Sequence, residues 1–177
     1  AARLLGVDRA EAAAAGAGLG ADVPFCLAGG HAIVSGIGDA ITPQPLPGDL
    51  ALALVVPPLH LATGDVFAAW DRLDGPAGPA ADPARLPPSL RDGPPLRNDL
   101  YPAAVHLAPG LDDWRSELEA RWGAPVYLSG SGPSLYALWG DAAEATSALA
   151  AVPGGARFVA AAEPVPTGWK IDGGTLP

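Results

Sequence analysis

Asp22 stands between a glycine and a proline, in Gly20-Ala21-Asp22-Val23-Pro24-Phe25, with Cys26-Leu27-Ala28-Gly29-Gly30-His31-Ala32 behind it. Proline has a fixed φ and no backbone donor, so it suits the first turn of a helix. Asp22 is therefore expected at or just before a short helix. A carboxylate there can cap the free N–H groups of the first turn, a contribution of about 0.5–2 kcal/mol. Facing a cleft instead, it can act as a general base and take the proton of a hydroxyl. The residues alone leave both roles open.

Two other stretches carry residues of chemical interest. Leu128-Ser129-Gly130-Ser131-Gly132-Pro133-Ser134 is a glycine-rich turn between two apolar segments. Glycines supply positive φ where strands reverse, so a tight hairpin connection accounts for it. A backbone shelf that lets phosphates or substrate come close accounts for it equally well. No G-x-S-x-G elbow surrounds Ser131, so a serine-hydrolase reading fails. Thr63 and Phe67 lie four apart on one helical face, the spacing of an ordinary core pair. His31, His60 and His106 show no metal-ligand spacing and have no partner cysteine, so no metal ligands are expected.

These residues need elements to hold them. The glycines at Gly16, Gly18 and Gly20 end a helix over residues 9–15, capped by Asp8, and a helix end is also expected at residues 1–5 with Gly6 as its C-cap. Gly16-Ala17-Gly18-Leu19-Gly20-Ala21 loosely fits a dinucleotide pattern, but that pattern needs a strand before it and here a helix precedes. Residues 31–35 and 40–42 read as strands around Gly36-Ile37-Gly38-Asp39, followed by a linker with Pro43, Pro45 and Pro47. Residues 50–56 form a buried-type strand and 62–73 a helix. Residues 74–95, rich in Pro, Gly and Ala, are expected to be a mobile surface loop. Arg97-Asn98-Asp99 opens a helix to about Leu107, with Asn98 and Asp99 as its cap. Residues 109–122 form another, with Leu111, Trp114, Leu118 and Trp122 on one face. Strands at 126–129 and 135–139, a helix at 141–151 capped by Asp141, and a strand at 157–162 complete the chain. From residue 50 onward the order is β-α-α-α-β-β-α-β, an α+β pattern that fits a ferredoxin-like βαββαβ plan with extra helices.

Composition narrows the function classes. The 177 residues carry a net charge of −9, with one lysine, Lys170, and nine scattered arginines. Nucleic acid is held by clustered Lys and Arg, so it is not an expected partner. No apolar run approaches the ~20 residues of a membrane span. The single cysteine, Cys26, allows no internal disulfide, fits a reducing, cytoplasmic setting, and is expected as a small buried apolar residue. There is no methionine, and the chain opens on Ala1-Ala2-Arg3-Leu4-Leu5 as if within a helix. A piece of a longer protein is expected. Oligomeric state is left open.

Asp22 in its Gly-Ala-Asp-Val-Pro-Phe string, Thr63-Gly64-Asp65-Val66-Phe67 and the Ser-Gly-Ser-Gly-Pro turn, in this order, resemble the GHMP family of small-molecule kinases. Gly29-Gly30-His31-Ala32 and Gly36-Ile37-Gly38-Asp39 strengthen the likeness to one branch. That branch phosphorylates the 2-hydroxyl of a cytidine-diphosphate-linked methylerythritol in non-mevalonate isoprenoid synthesis. The resemblance implies a small-molecule substrate, ATP and Mg²⁺, and transfer of a phosphoryl group to an alcohol. It implies that residues 1–47 are the remainder of the ATP- and substrate-binding domain, of the ribosomal protein S5 domain 2-like fold. Residues 48–163 would be the ferredoxin-like C-terminal domain, and 164–177 a tail.

The resemblance also implies roles. Asp22 would accept the hydroxyl proton, Thr63 and Phe67 would contact the cytidine with the ring stacked on the base, and Ile37 would pack against it. Ser129, Gly130, Ser131 and Gly132 would lie beside phosphates and substrate. The family's N-terminal lysine and its phosphate loop have no match in this sequence, so the chain alone is expected to be inactive. Tyr101 stands where the family often has Glu. Two alternatives remain: another GHMP kinase, of homoserine or mevalonate type, and a non-catalytic ferredoxin-like binding module.

Overall fold

The structure, a computed structural model, describes residues 15–168. The helices expected at residues 1–5 and 9–15, apart from the last turn ending at Ala17, lie outside the described residues, as do Asp8 and Lys170. The chain divides into two compact units, residues 1–47 with 164–177, and residues 48–163.

In the first unit a short helix α1 (Val23–Ala28) is followed by strands β1 (His31–Ser35) and β2 (Ala40–Gln44). The strands pair antiparallel, with His31 opposite Gln44 and Ser35 opposite Ala40. Strand β2 runs through Pro43, which the linker reading had placed outside it. A two-stranded ribbon has free edges on both sides, which is where a proline is tolerated. The segment 164–168 is no separate tail: a Cβ on Gly29 would lie 1.7 Å from the Gly168 nitrogen, and one on Gly168 would lie 1.8 Å from the Cys26 carbonyl oxygen. Glycine at both positions permits this backbone crossing. Cys26 is exposed, against the expectation of burial. Pro24 takes the buried place in α1 instead.

The second unit is a four-stranded antiparallel sheet in the order β4-β5-β3-β6. Its strands are β3 (Ala51–Val56), β4 (Tyr127–Leu128), β5 (Leu135–Trp139) and β6 (Phe158–Ala162). Strand β3 alternates buried and half-buried residues, so Ala51, Ala53 and Val55 point to the core face. Helices α2 (Thr63–Arg72), α3 (Tyr101–Leu107) and α4 (Gly110–Trp122) lie between β3 and β4, and α5 (Ala142–Ala148) between β5 and β6.

Helix α4 contributes Leu111 and Leu118, both fully buried. Burial of each is worth about 1.5–3 kcal/mol. Trp114 and Trp122 pack beside them. Trp122 also stands edge-on to Trp139, with 5.3 Å between centroids, and donates from Nε1 to the Ala148 carbonyl at 2.8 Å. Helix α4 is thereby tied to α5. Asp141 caps α5 as expected, accepting from the Glu144 N–H at 2.8 Å.

The segment 74–95 is not without structure. It holds a 3₁₀ turn (Pro83–Arg85) and a helical turn (Pro88–Arg91), and its Leu86 is buried. It is pinned back on residues 96–99 by the Ala80–Arg97 bridge and by Gly78, whose N–H donates to Asp99 Oδ1. Composition suggested a loop because proline and glycine suppress any period. Individual side chains still tie it down.

Candidate functional site

Asp22 occupies the N-cap position of α1, with Pro24 in the first turn. Among the described residues its carboxylate accepts no capping hydrogen bond. Its backbone is already helical (φ −83°, ψ −14°), whereas a capping side chain normally comes from an extended residue. The carboxylate is exposed and is not committed to its own helix. The same unit holds the turn 36–39, with φ +69° at Gly36 and +98° at Gly38. A Cβ on Gly38 would stand 2.3 Å from the Ala21 carbonyl oxygen, so the turn lies directly against the residue before Asp22. Ile37 projects from that turn with 78% of its surface exposed, and its N–H donates to Asp39 Oδ1 at 3.2 Å. Asp22 and Ile37 are thus borne by two backbone segments in close contact.

In the other unit, Thr63 opens α2 after Ala62, and Thr63 and Ser131 hydroxyls share a hydrogen bond at 2.9 Å. The start of α2 and the glycine-rich turn are therefore brought together. Phe67, one helical turn beyond Thr63, is 51% exposed, so the core-pair reading of that spacing does not hold for it. Val66 and Ala69 supply the buried side of α2 instead. An aromatic ring left half in water, on the helix whose first residue bonds the glycine-rich turn, offers a stacking face.

The turn is a hairpin connection between β4 and β5. Ser129 N–H donates to the Ser134 carbonyl and Gly132 N–H to the Ser129 carbonyl. Gly130 and Gly132 have φ of +55° and +88°. Gly132 also touches the methyl ends of Leu61 and Leu128, where a Cβ would lie 3.1 and 2.9 Å away. Ser129 and Gly130 are exposed, while Ser131 and Gly132 are half-buried.

Asn98 stands at the entrance of α3 and reaches further than a cap. It was expected to cap the following helix, yet α3 begins at Tyr101 with Leu100 at its N-cap. The Asn98 Nδ2 donates to two carbonyls of the distant hairpin, Leu128 at 2.9 Å and Gly130 at 2.7 Å. Its Oδ1 accepts from the Leu100 N–H at 2.9 Å. One half-buried amide thus fixes the glycine-rich turn to the entrance of α3. Nothing local in the sequence marks a contact over this separation.

Tyr101 serves structure. Its hydroxyl donates to Asp112 Oδ1, and Arg115 reaches the same hydroxyl, Asp112 and Glu119. Glu119 in turn accepts from the Val126 N–H at 3.1 Å. Burial first, and the Asp112 hydrogen bond second, raise the Tyr101 hydroxyl to about 12. The Tyr101 hydrogen bond leads the causes that lower Asp112. Among the described residues no group of three His, Cys, Asp or Glu side chains could hold a metal ion, and no helix is long and apolar enough to cross a membrane.

No family model matches the chain. The 4-diphosphocytidyl-2-C-methyl-D-erythritol kinase of Arthrobacter sp. (strain FB24) is 38% identical over 184 residues, covering 97% of this chain and 57% of the relative. The chain is a homologue of these kinases. The kinase of that name from Paracoccus denitrificans is 36% identical, over 77% of this chain and 50% of its own length. A crystal structure of a 4-(cytidine 5'-diphospho)-2C-methyl-D-erythritol kinase superposes with a TM-score of 0.66 at 31% identity, covering 84% of this chain and 55% of the other. A homoserine kinase from Cytophaga hutchinsonii shares the fold, with a TM-score of 0.59 at 22% identity. The structural neighbours are GHMP-type kinases, and the chain spans about half the length of the curated relatives it matches.

Proposed function

We propose that this chain forms part of an enzyme that uses ATP to phosphorylate the 2-hydroxyl of 4-diphosphocytidyl-2-C-methyl-D-erythritol. The observation that carries the reading is the identity of 38% to the Arthrobacter kinase over 97% of the chain. The local geometry is in keeping with it. Phosphoryl transfer to an alcohol needs a positioned hydroxyl and a destination for its proton. Asp22, whose carboxylate is free of capping duty, is suited to accept that proton. Phe67 offers its half-exposed ring to the cytosine, with Thr63 one helical turn before it, and Ile37 in its own unit offers an exposed apolar side chain to the substrate. The hairpin Ser129, Gly130, Ser131 and Gly132 presents backbone to phosphates or substrate.

In this reading residues 1–47 belong to the ATP- and substrate-binding domain. Residues 48–163 form a ferredoxin-like domain, a plan supported by the βαββαβ strand order with β3 and β5 central. Mg²⁺ would enter on the nucleotide, because it is held largely by phosphates and water and needs no dedicated protein cage. It would neutralise charge on the transferred phosphoryl group. ATP chemistry on a small metabolite also suits a cytoplasmic location.

The test is a chimera in which this chain replaces the segment it aligns to in the Arthrobacter kinase. The chimera is expected to phosphorylate the cytidine substrate in the presence of ATP. Asp22→Asn in it is expected to lower kcat by about 10²–10⁴ without loss of folding. Turnover of homoserine in place of the cytidine substrate would overturn the reading, as would undiminished kcat in the Asp22 variant.

A further inference from the structure

Strand β6 is the last strand of its sheet, and among the described residues no strand pairs with its outer edge. It reads Phe158-Val159-Ala160-Ala161-Ala162, without proline or charge. Sheet edges in water are usually blunted by a charge, a proline or a bulge, because bare N–H and C=O groups recruit another strand. Here the charges stand only at the two ends, Arg157 before the strand and Glu163 after it. Phe158 and Val159 at its start are 55% and 39% exposed. The second half is alanine.

We propose that β6 pairs antiparallel with β6 of a second copy of this chain, about a twofold axis through Ala160. Such an interface is isologous, so each residue faces the one equally far on the other side of the centre. Phe158 then lies opposite Ala162 of the second copy, and Val159 opposite its Ala161. Each large, exposed side chain meets a small one. The same register sets Arg157 opposite Glu163, and does so at both ends of the ribbon. Both residues are exposed, and Arg157 exchanges its 3.3 Å bond to the Leu59 carbonyl for the Glu163 carboxylate of the second copy. A shift of one residue would lose the pairing of size and the pairing of charge together. The ribbon is only five residues long, so the dimer is weak, with a dissociation constant between about 10 µM and 1 mM. This inference rests on the sheet edge and is independent of the kinase reading.

Sedimentation velocity on the 177-residue chain over that concentration range is expected to show a rising weight-average sedimentation coefficient. Arg157→Glu and Glu163→Arg, each alone, place like charges opposite one another and are expected to weaken association about tenfold. The double variant R157E/E163R restores opposite charges and should recover it. Ala160→Cys in a Cys26→Ser background should form a disulfide-linked dimer on oxidation, because directly opposed residues have Cα atoms within disulfide range. Ala162→Cys in the same background should not. A monomer throughout the range would overturn the proposal. So would single reversals without effect, a double reversal without rescue, or cross-linking at 162 as ready as at 160.

Discussion

The side-chain amide of Asn98 donates a 2.7 Å hydrogen bond to the carbonyl of Gly130, thirty-two residues away, while also holding the Leu128 carbonyl. The glycine-rich hairpin is thus anchored at the entrance to α3, as the Thr63–Ser131 bond anchors it to α2. Asn98→Asp replaces a double donor by an acceptor facing two carbonyl oxygens. Leaving such groups unpaired costs about 1–3 kcal/mol. Urea unfolding of the variant is expected to show a loss of that size. Amide exchange at residues 129–132 should quicken beyond the global change. A loss spread evenly over the domain would mean that Asn98 holds the fold in general and not the hairpin in particular.

Asp22→Ala tests the free carboxylate from the side of stability. A true capping aspartate would cost about 0.5–2 kcal/mol on truncation. Asp22 makes no capping bond, so unfolding midpoints are expected to move by less than the equivalent of about 0.5 kcal/mol. A larger loss would return the residue to a structural role and weaken its assignment as a base.

These two residues also mark how far the sequence reaches. Strands β1 and β5, helix α2 and the Asp141 cap follow from period, proline position and cap chemistry, all of which are local. Asp22 at a helix start was legible for the same reason, since Pro24 fixes the first turn. The lack of a capping bond was not, because it depends on a backbone angle. Asn98 was legible as a group at the entrance of α3, where its Oδ1 accepts from the Leu100 N–H, but its two bonds to a distant hairpin were not. Cys26 was expected in the core by residue type, yet the core side of so short a helix is one residue wide, and Pro24 fills it. In the segment 74–95, pinning by Gly78, Leu86 and Ala80 leaves no periodic trace.

Phe67→Leu keeps an apolar side chain and removes the flat ring. The ring is 51% exposed, so stability should change by less than about 0.5 kcal/mol. In the Arthrobacter chimera, affinity for the cytidine substrate is expected to fall by about 1–3 kcal/mol with little change for ATP, measured by calorimetry. Equal losses for both ligands, or none, would remove the stacking role. Thr63→Val, which deletes the hydrogen bond to Ser131, separates positioning of the hairpin from contact with the base. Its exposed bond should cost about 0.5–1.5 kcal/mol of stability at most. A double-mutant cycle with Ser131→Ala should show that the two effects are shared.

Tyr127 offers a test in which removing a polar atom should do no harm. Its hydroxyl is shielded from solvent and has no hydrogen-bond partner among the described residues. Burial raises it to about 12, and the neighbouring Tyr136, 5.6 Å away between ring centroids, is raised by burial as well. A hydroxyl whose folded value exceeds its unfolded value of about 10 favours the fold fully below pH 10. That contribution is lost as pH climbs towards 12. Stability should therefore fall in this alkaline window, through Tyr101, Tyr127 and Tyr136 together. Tyr127→Phe removes an orphaned oxygen and keeps the ring that packs on Tyr136. At pH 7 the variant is expected to be as stable as the parent or more stable by up to about 1 kcal/mol. Between pH 10 and 12 its stability should decline less steeply, since one of the three titrating groups is gone. Urea denaturation at pH 7, 10 and 11 reads both effects. A variant less stable at pH 7 by more than about 1 kcal/mol would show that the hydroxyl has a partner in solution.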